Sequence, residues 1–394
     1  MNVPIVPAPP VDVGRLRAHR VGRLREQLAE HDVDAIVLTN PVSLRYAADW
    51  REYALFQAHI PTYYLVMDSD GRLTMFGAYA TDHPTIDEFR AAHHPNVFDG
   101  GLDTEATAAG FADDIAGVVG TGARLAVERV NPTCVDALRC HGFDVVDAEP
   151  LVEIARSIKS TDEIICIRHA IAVAEAAITT MRERAVPGLS ENELMATLHQ
   201  VNIANDGDWI DGRMLCSGER TNPWYQEASS RRLRAGEFLA FDTDMIGPFG
   251  YCADISRTWV VGDGEPTAEQ RDRYRRAHDE IDQFADLLAP GRSFRELSDA
   301  AMRQPDEFVA HRYACLAHGV GMSDEWPRIH HRCDWDAHGY DGEVRADMVL
   351  SVESFVGSDR GGPGVKLEQM YLVGERGASP LSTYPYEHAL LASP

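Results

Sequence analysis

The sequence predicts an α/β protein of two domains, and three observations predict it. The chain has 394 residues, 44% of them hydrophobic, which is enough for one large or two medium cores. Up to about residue 155, short apolar β-branched runs alternate with longer periodic segments. Beyond that point the pattern changes to long amphipathic helices followed by apolar strands that carry acids. An N-terminal α/β domain is therefore placed at 1–155 and a catalytic domain at 156–394.

The elements follow in order. "VGRLREQLAEH" has helical periodicity, and "VDAIVLTNP" and "PTYYLVMDSDGRLTMFG" read as strands closed by turns. "TEATAAGFADDIAGVVG" is the next helix, and "ARLAVERV" and "FDVVDAE" supply further strands. "STDEIICIRHAIAVAEAAITTMRERA" is a long amphipathic helix with Ser160 or Thr161 at its cap and Asp162 and Glu163 in its first turn. "SENELMATLHQVNIAN" follows, opened by Ser190 and Glu191, and "AEQRDRYRRAHDEIDQFADLL" is a third helix. The remaining motifs, "GEFLAFDTDMIG", "GYCADISRTWVVG", "CLAHGVGMSDEWP", "DMVLSVESFVG" and "GVKLEQMYLVG", are mainly strands and strand ends.

Composition narrows the partners. Sixty-two acidic against 37 basic residues give a formal charge of −25, which disfavours nucleic acid. Lys159 and Lys366 are the only lysines; the other basic residues are arginine. No uninterrupted apolar run reaches the roughly 18 residues of a membrane span, and the start "MNVPIVPAPPVDVGRLR" has no basic leader before a long apolar stretch. The expected location is the cytoplasm, away from a membrane. Seven scattered cysteines without paired spacing argue against a disulfide scaffold or a thiolate zinc site.

The chemistry concentrates in acids. Asp242 and Asp244 are two apart and Asp254 follows, all in an apolar, glycine-rich stretch where carboxylates are costly to bury without a cation or a shared proton. On a strand, residues two apart share a face, so Asp242 and Asp244 are expected to point the same way, with Asp254 brought beside them by a neighbouring strand. Glu353 and Glu368 lie in two further apolar strands, and His318 precedes a "GVG" turn. One histidine with several carboxylates suits iron, manganese, cobalt or zinc rather than copper(I), with room for two ions. Taken one at a time, each acid also reads as a cap or surface residue, and His318 as a hydrogen-bonded structural histidine.

Five motifs, "RSIKSTDEIICIRHA", "GYCADISRTW", "HGVG" with "EWP", "VESF" and "GVKLEQ", occur in the order and spacing of the creatinase, prolidase and aminopeptidase P superfamily (M24), which the chain resembles. The resemblance covers most of the chain and is strongest from 155 to 380. It implies a creatinase/aminopeptidase-like fold with a C-terminal pita-bread catalytic domain and a metal pair held by two aspartates, a histidine and two glutamates. It also implies a homodimer, in which a loop of the first domain can reach the neighbouring active site.

The chain departs from the superfamily's peptidases in three places. They separate their first two metal aspartates by eleven positions, whereas here the distance to Asp254 is twelve from Asp242 and ten from Asp244, with Thr243 at eleven. Their His-Glu-x-Pro element reads Asp324-Glu325-Trp326-Pro327 here, and a second peptidase histidine is replaced by Trp224 in "CSGERTNPWY". This altered set is similar to the branch of DddP-type, metal-dependent dimethylsulfoniopropionate lyases. That branch implies Asp242, Asp244, Asp254, His318, Glu353 and Glu368 as ligands of one or two ions, with iron favoured. It further implies Asp324 as base and Tyr313 beside the substrate.

The implied reaction is β-elimination of a small zwitterion, dimethylsulfoniopropionate, to dimethyl sulfide and acrylate. Such a reaction needs a base and a polarised carboxylate rather than an activated water. Trp224 and Tyr225, and less so Trp326, offer aromatic faces to the sulfonium. Arg257 and Lys366 read as structural residues outside the mechanism. Two alternatives stay open: a metallohydrolase of the same fold, acting on an X-Pro peptide or a small amide or compatible solute such as ectoine, and a non-catalytic metal-binding protein.

Overall fold

The computed structural model describes residues 3–79 and 82–392. Asp12–Arg156 forms one compact unit; the described residues before it and those from Ser157 onward form the other. The expected boundary after residue 155 thus falls one position before the observed one, and the first residues group with the catalytic unit rather than with the domain they precede.

The first unit is a mixed sheet. Strands β1 (Ala35–Leu38), β2 (Tyr64–Asp68), β3 (Leu73–Gly77), β4 (Glu88–Ala91), β5 (Arg124–Val127) and β6 (Asp144–Asp147) lie in the order β4-β3-β2-β1-β5-β6. β2 runs antiparallel to both β1 and β3, whereas β3 and β4, β1 and β5, and β5 and β6 pair in parallel. The runs of β1 and β2 are apolar because they are covered, and their core joins Val37, Tyr64 and Val66 to Phe111 of helix Thr104–Val119.

In the catalytic unit, capping chemistry starts each long helix where the sequence predicts. Ser160 caps Thr161–Arg184, Ser190 caps Glu191–Ala204 and Thr267 caps Ala268–Leu287, each in a reciprocal box with Glu163, Glu193 and Gln270 respectively. Thr161–Arg184 is long and apolar enough to cross a membrane by length and composition, but it is a core helix whose inward residues include Ile167, Ile171 and Ile178.

Three sheets surround the acids. The strands are β7 (Trp209–Ile210), β8 (Leu215–Ser217), β9 (Phe238–Phe241), β10 (Met245–Ile246), β11 (Cys252–Ala253), β12 (Arg257–Val260), β13 (Ala317–Val320), β14 (Asp324–Ile329), β15 (Val349–Val356), β16 (Val365–Gly374) and β17 (Gly377–Pro380). They form the sheets β11-β10-β7, β12-β9-β8 and β14-β13-β15-β16-β17. Helix Ala268–Leu287 sends Tyr274, Ile281 and Phe284 into the core shared with Leu350 and Leu367 of the largest sheet. Thr258 then joins two sheets: its hydroxyl donates to Lys366 O at 2.8 Å and accepts the Lys366 amide at 3.1 Å. This cross-link holds β12, which follows Asp254, against β16, which carries Glu368.

Candidate metal centre

The site is assembled from strand register and one break. Glu353 of β15 and Glu368 of β16 are direct antiparallel partners, so pairing alone puts their carboxylates side by side. β13 lies on the other side of β15 and brings His318, whose Nε2 is 3.0 Å from Glu353 Oε1, 3.4 Å from Asp254 Oδ2 and 3.6 Å from Glu368 Oε1. A bulge follows His318, and a Cβ on Gly319 would lie 2.4 Å from Trp326 O, so only glycine lets β13 and β14 approach this closely.

The aspartate pair is built differently from the expectation. β9 stops at Phe241, and Asp242, Thr243 and Asp244 form the break before β10; Asp244 has φ of 37° in the left-handed region. The period-two rule therefore does not apply, and the two carboxylates do not share a strand face. Asp242 is buried with Asp254 and Glu368, whereas Asp244 is half-buried and joins none of the tight ligand groups. Those groups, with donor atoms within 4.8 Å of one another, are Asp242–Asp254–Glu368, His318–Glu353–Glu368 and Asp254–His318–Asp324 among the described residues. Five of the six expected ligands fall in these groups, and Asp324, expected as a base, joins one of them.

Electrostatics divides the frame in two. At the glutamate end, burial would raise Glu353, but Lys366 and His318 outweigh it and hold its carboxyl below the usual range; Glu368 also ends lowered despite burial and Glu353. At the aspartate end burial and neighbouring acids outweigh the Lys366 charge. Burial and then Glu368 push Asp242 up, and burial with neighbouring acids pushes Asp244 and Asp254 up much further. Burial would lower the His318 imidazole, yet Asp324 and Glu353 hold it well above its ordinary value.

This frame fits a divalent ion. Asp254 Oδ1 is buried without a hydrogen-bond partner, a cost that a cation removes. Four buried carboxylates and one imidazole form the oxygen-rich donor set of a hard to intermediate metal, and the arrangement is that of an Asp/His/Glu site for two ions. A cavity of about 550 Å³ in the other unit, lined by Asn40, Gln57, Phe98 and Arg129 among others, holds none of these residues.

Asp324 opens β14, its Oδ1 4.0 Å from His318 Nδ1 and its side chain 63% exposed. The protein crowded around its inner face pushes the carboxyl up to about 6; His318 opposes this, and Glu368, Glu353 and Asp242 add to it. Solvent at the exposed face weakens the shift, and its upward direction stands. Tyr313 is half-buried beside the site and stacks on Tyr225 with ring centroids 5.6 Å apart; Tyr225 itself is 58% exposed. Tyr313 also lines a cavity of about 720 Å³ with Arg312, Arg328, His330 and Tyr340. Trp224 is 5% exposed and packs against Phe355 with centroids 6.1 Å apart. Trp326 packs on Phe294 at 5.6 Å, in the core of this unit.

Sequence reasoning missed two residues. Thr243, fully buried, donates to Ala253 O at 2.7 Å and accepts the Ile255 amide at 2.9 Å, clamping the two aspartate segments together. Lys366, expected to be structural, is also fully buried, with its ammonium among the ligands: 2.6 Å from Glu353 Oε2, 2.9 Å from Glu368 Oε2 and 3.2 Å from Asp242 Oδ2. Strand parity carried a signal for it, because Lys366 and Glu368 are two apart on β16 and share a face.

Comparison with known proteins agrees with this geometry. Residues 165–375 match the model of metallopeptidase family M24. The dimethylsulfoniopropionate lyase DddP of Roseovarius nubinhibens is 35% identical, over 96% of this chain and 88% of the relative, and that of Roseobacter denitrificans is 32% identical over the same shares. The Xaa-Pro dipeptidase of Bacillus anthracis superposes with a TM-score of 0.73 at 21% identity, covering 94% of this chain and 99% of the other. That likeness carries the fold: a two-domain creatinase-like architecture with a C-terminal pita-bread catalytic domain. With its ordered motifs, its buried Asp/His/Glu frame and a family match over more than half its length, the chain belongs to metallopeptidase family M24.

Proposed function

We propose that this protein is a metal-dependent carbon–sulfur lyase that cleaves dimethylsulfoniopropionate to dimethyl sulfide and acrylate. The observation that carries the reading is Asp324: a carboxylate, raised in pKa and open to solvent on one face, stands at the edge of the ligand frame where peptidases of the fold have a histidine. The two lyases at 35% and 32% identity support the same reading.

The residues divide the work. Asp324 takes the proton from the carbon next to the substrate carboxylate; the electron pair forms the carbon–carbon double bond, and the bond to sulfur breaks with its pair leaving on dimethyl sulfide. A divalent ion in this frame, with iron favoured over manganese, cobalt or zinc, supplies Lewis acidity toward a substrate oxygen. Tyr313 orients the carboxylate, and the Arg328 guanidinium at the 720 Å³ cavity favours an anionic group there. The exposed face of Tyr225, stacked on Tyr313, is the surface offered to the sulfonium. Trp224 supports that surface from below, because the cation its ring meets is Lys366, 5.8 Å from its centroid.

A metallohydrolase is the second reading. Family membership and the likeness to a dipeptidase support hydrolysis more directly than they support elimination. What favours the lyase is local: the Asp242-Thr243-Asp244 break, Asp324 and Trp224. The deciding experiment incubates the metal-loaded protein with dimethylsulfoniopropionate, an X-Pro dipeptide, creatine and ectoine, and identifies the products. Equal yields of dimethyl sulfide and acrylate are expected. Hydrolysis of any other member without those products overturns the lyase in favour of the second reading, and metal binding without turnover leaves a non-catalytic protein.

A further inference from the structure

We propose that Lys366 is a tethered cation filling one of the two cation positions of this frame, so that the protein holds one divalent ion tightly and admits a second only against the lysine. The inference is independent of which reaction the site performs. It starts from the ammonium's bonds. Nζ lies 2.6 Å from Glu353 Oε2, 2.9 Å from Glu368 Oε2, 3.2 Å from Asp242 Oδ2 and 2.8 Å from Ser256 Oγ. Three of its four partners are candidate ligands, at distances set by charge-assisted hydrogen bonds. One oxygen of each of those carboxylates is therefore already committed.

The opposite end is free of it. Asp254 and Asp324 have no bond to Lys366 among those described; Asp254 Oδ2 and His318 Nε2 are 3.4 Å apart, and Asp254 Oδ1 has no partner. A first ion beside Asp254 and His318 meets the unpartnered Asp254 Oδ1, whereas a second among Asp242, Glu353 and Glu368 meets the buried Lys366 ammonium. Two cations within a few ångströms in a low-dielectric interior repel strongly unless one moves.

Lys366 is poorly placed to move. The rings of Tyr313 and Trp224 lie over its ammonium, with centroids at 4.4 and 5.8 Å, and Thr258 pins its backbone through two hydrogen bonds. The choice of residue points the same way. Every basic residue of the chain except Lys159 and Lys366 is arginine, and both lysines are buried on acids, Lys159 at 2.9 Å from Glu325. An ammonium is a compact point charge of ion-like size, whereas a guanidinium is a planar fork that cannot occupy an ion's position among three carboxylates.

The test counts metal rather than turnover. Metal-free full-length protein is titrated with Mn²⁺, free ion is quantified by its electron paramagnetic resonance signal, and the bound spectrum is recorded. The wild type is expected to bind one ion per subunit with a mononuclear six-line spectrum, and the second at least about 100-fold more weakly. In Lys366→Met, which removes the charge at similar length, the two affinities are expected to converge to within about tenfold, with the broadened spectrum of a coupled pair. Two wild-type ions of comparable affinity overturn the proposal, and this result does not depend on any variant folding. A folded Lys366→Met that still takes one ion also overturns it.

Discussion

Thr243 and Ile255 are bonded across the break that carries Asp242 and Asp244, the Ile255 amide donating to the Thr243 hydroxyl at 2.9 Å while that hydroxyl donates to Ala253 O at 2.7 Å. The position eleven residues before Asp254 thus holds a clamp, and the carboxylates of Asp242 and Asp244 flank it. Thr243→Val keeps the shape and strands two buried backbone groups, at an expected cost of about 1–3 kcal/mol in urea denaturation. Metal affinity is expected to fall about 10- to 100-fold, as for other residues that orient ligands. Unchanged stability and affinity would show the clamp to be dispensable.

Asp324 separates proton transfer from metal binding. Asp324→Asn keeps the shape and removes the base, so the lyase rate should drop by about 10²- to 10⁴-fold. Asp242, Asp254, His318, Glu353 and Glu368 remain, so metal content should persist. Full activity in the metal-replete variant would remove Asp324 from the mechanism; loss of metal together with activity would make it a ligand first.

Metal removal should destabilise the catalytic unit, because its frame then keeps buried acids with Lys366 and His318 as their cations. Saturation at about 100 times Kd adds about 2.7 kcal/mol. For a unit of this size each kcal/mol moves Tm by about 2–4 °C. Chelation should therefore lower Tm by about 5–10 °C, and re-addition of metal should restore it. An unchanged scan would mean that metal and fold are uncoupled.

The first domain carries its own acid-sensitive element. Asp49 Oδ2 accepts from Arg17 Nε at 2.7 Å and Oδ1 from Arg20 Nη1 at 3.1 Å. Burial would raise this carboxyl, but Arg20, Arg45 and Arg17 outweigh it and hold it below its ordinary value. A carboxyl lowered in the folded state stabilises above its unfolded pKa of about 3.9 and loses that contribution as pH falls through the folded value. Asp49→Asn tolerates the left-handed backbone at φ of 55° and should cost about 3–5 kcal/mol at pH 7, with a much smaller difference from wild type near pH 2. An equal loss at both pH values would assign the effect to packing rather than charge.

Much of the frame was legible in the chain alone. Ser160, Ser190 and Thr267 start helices because a hydroxyl with an acid or amide three residues on satisfies exposed amides locally, which needs no tertiary information. Glu353 and Glu368 sit in apolar strands where a buried acid demands a partner, and the ordered motifs named the family. The substitutions at Asp324 and Trp224 were likewise visible as departures from it.

The tertiary structure decided what depends on register and on broken strands. Asp244 falls outside the tight ligand groups, and it does not share a strand face with Asp242 because β9 ends one residue before Asp242 and the chain turns left-handed, which period-two reasoning cannot foresee. Thr243 becomes a clamp only when Ala253 and Ile255 arrive from the next strands. Lys366 reads as one basic residue in a strand until β15, β16 and the segment after β9 surround it with three acids. Sequence determines which charges a chain must bury; the strand pairing of the folded chain decides which of them compensate one another.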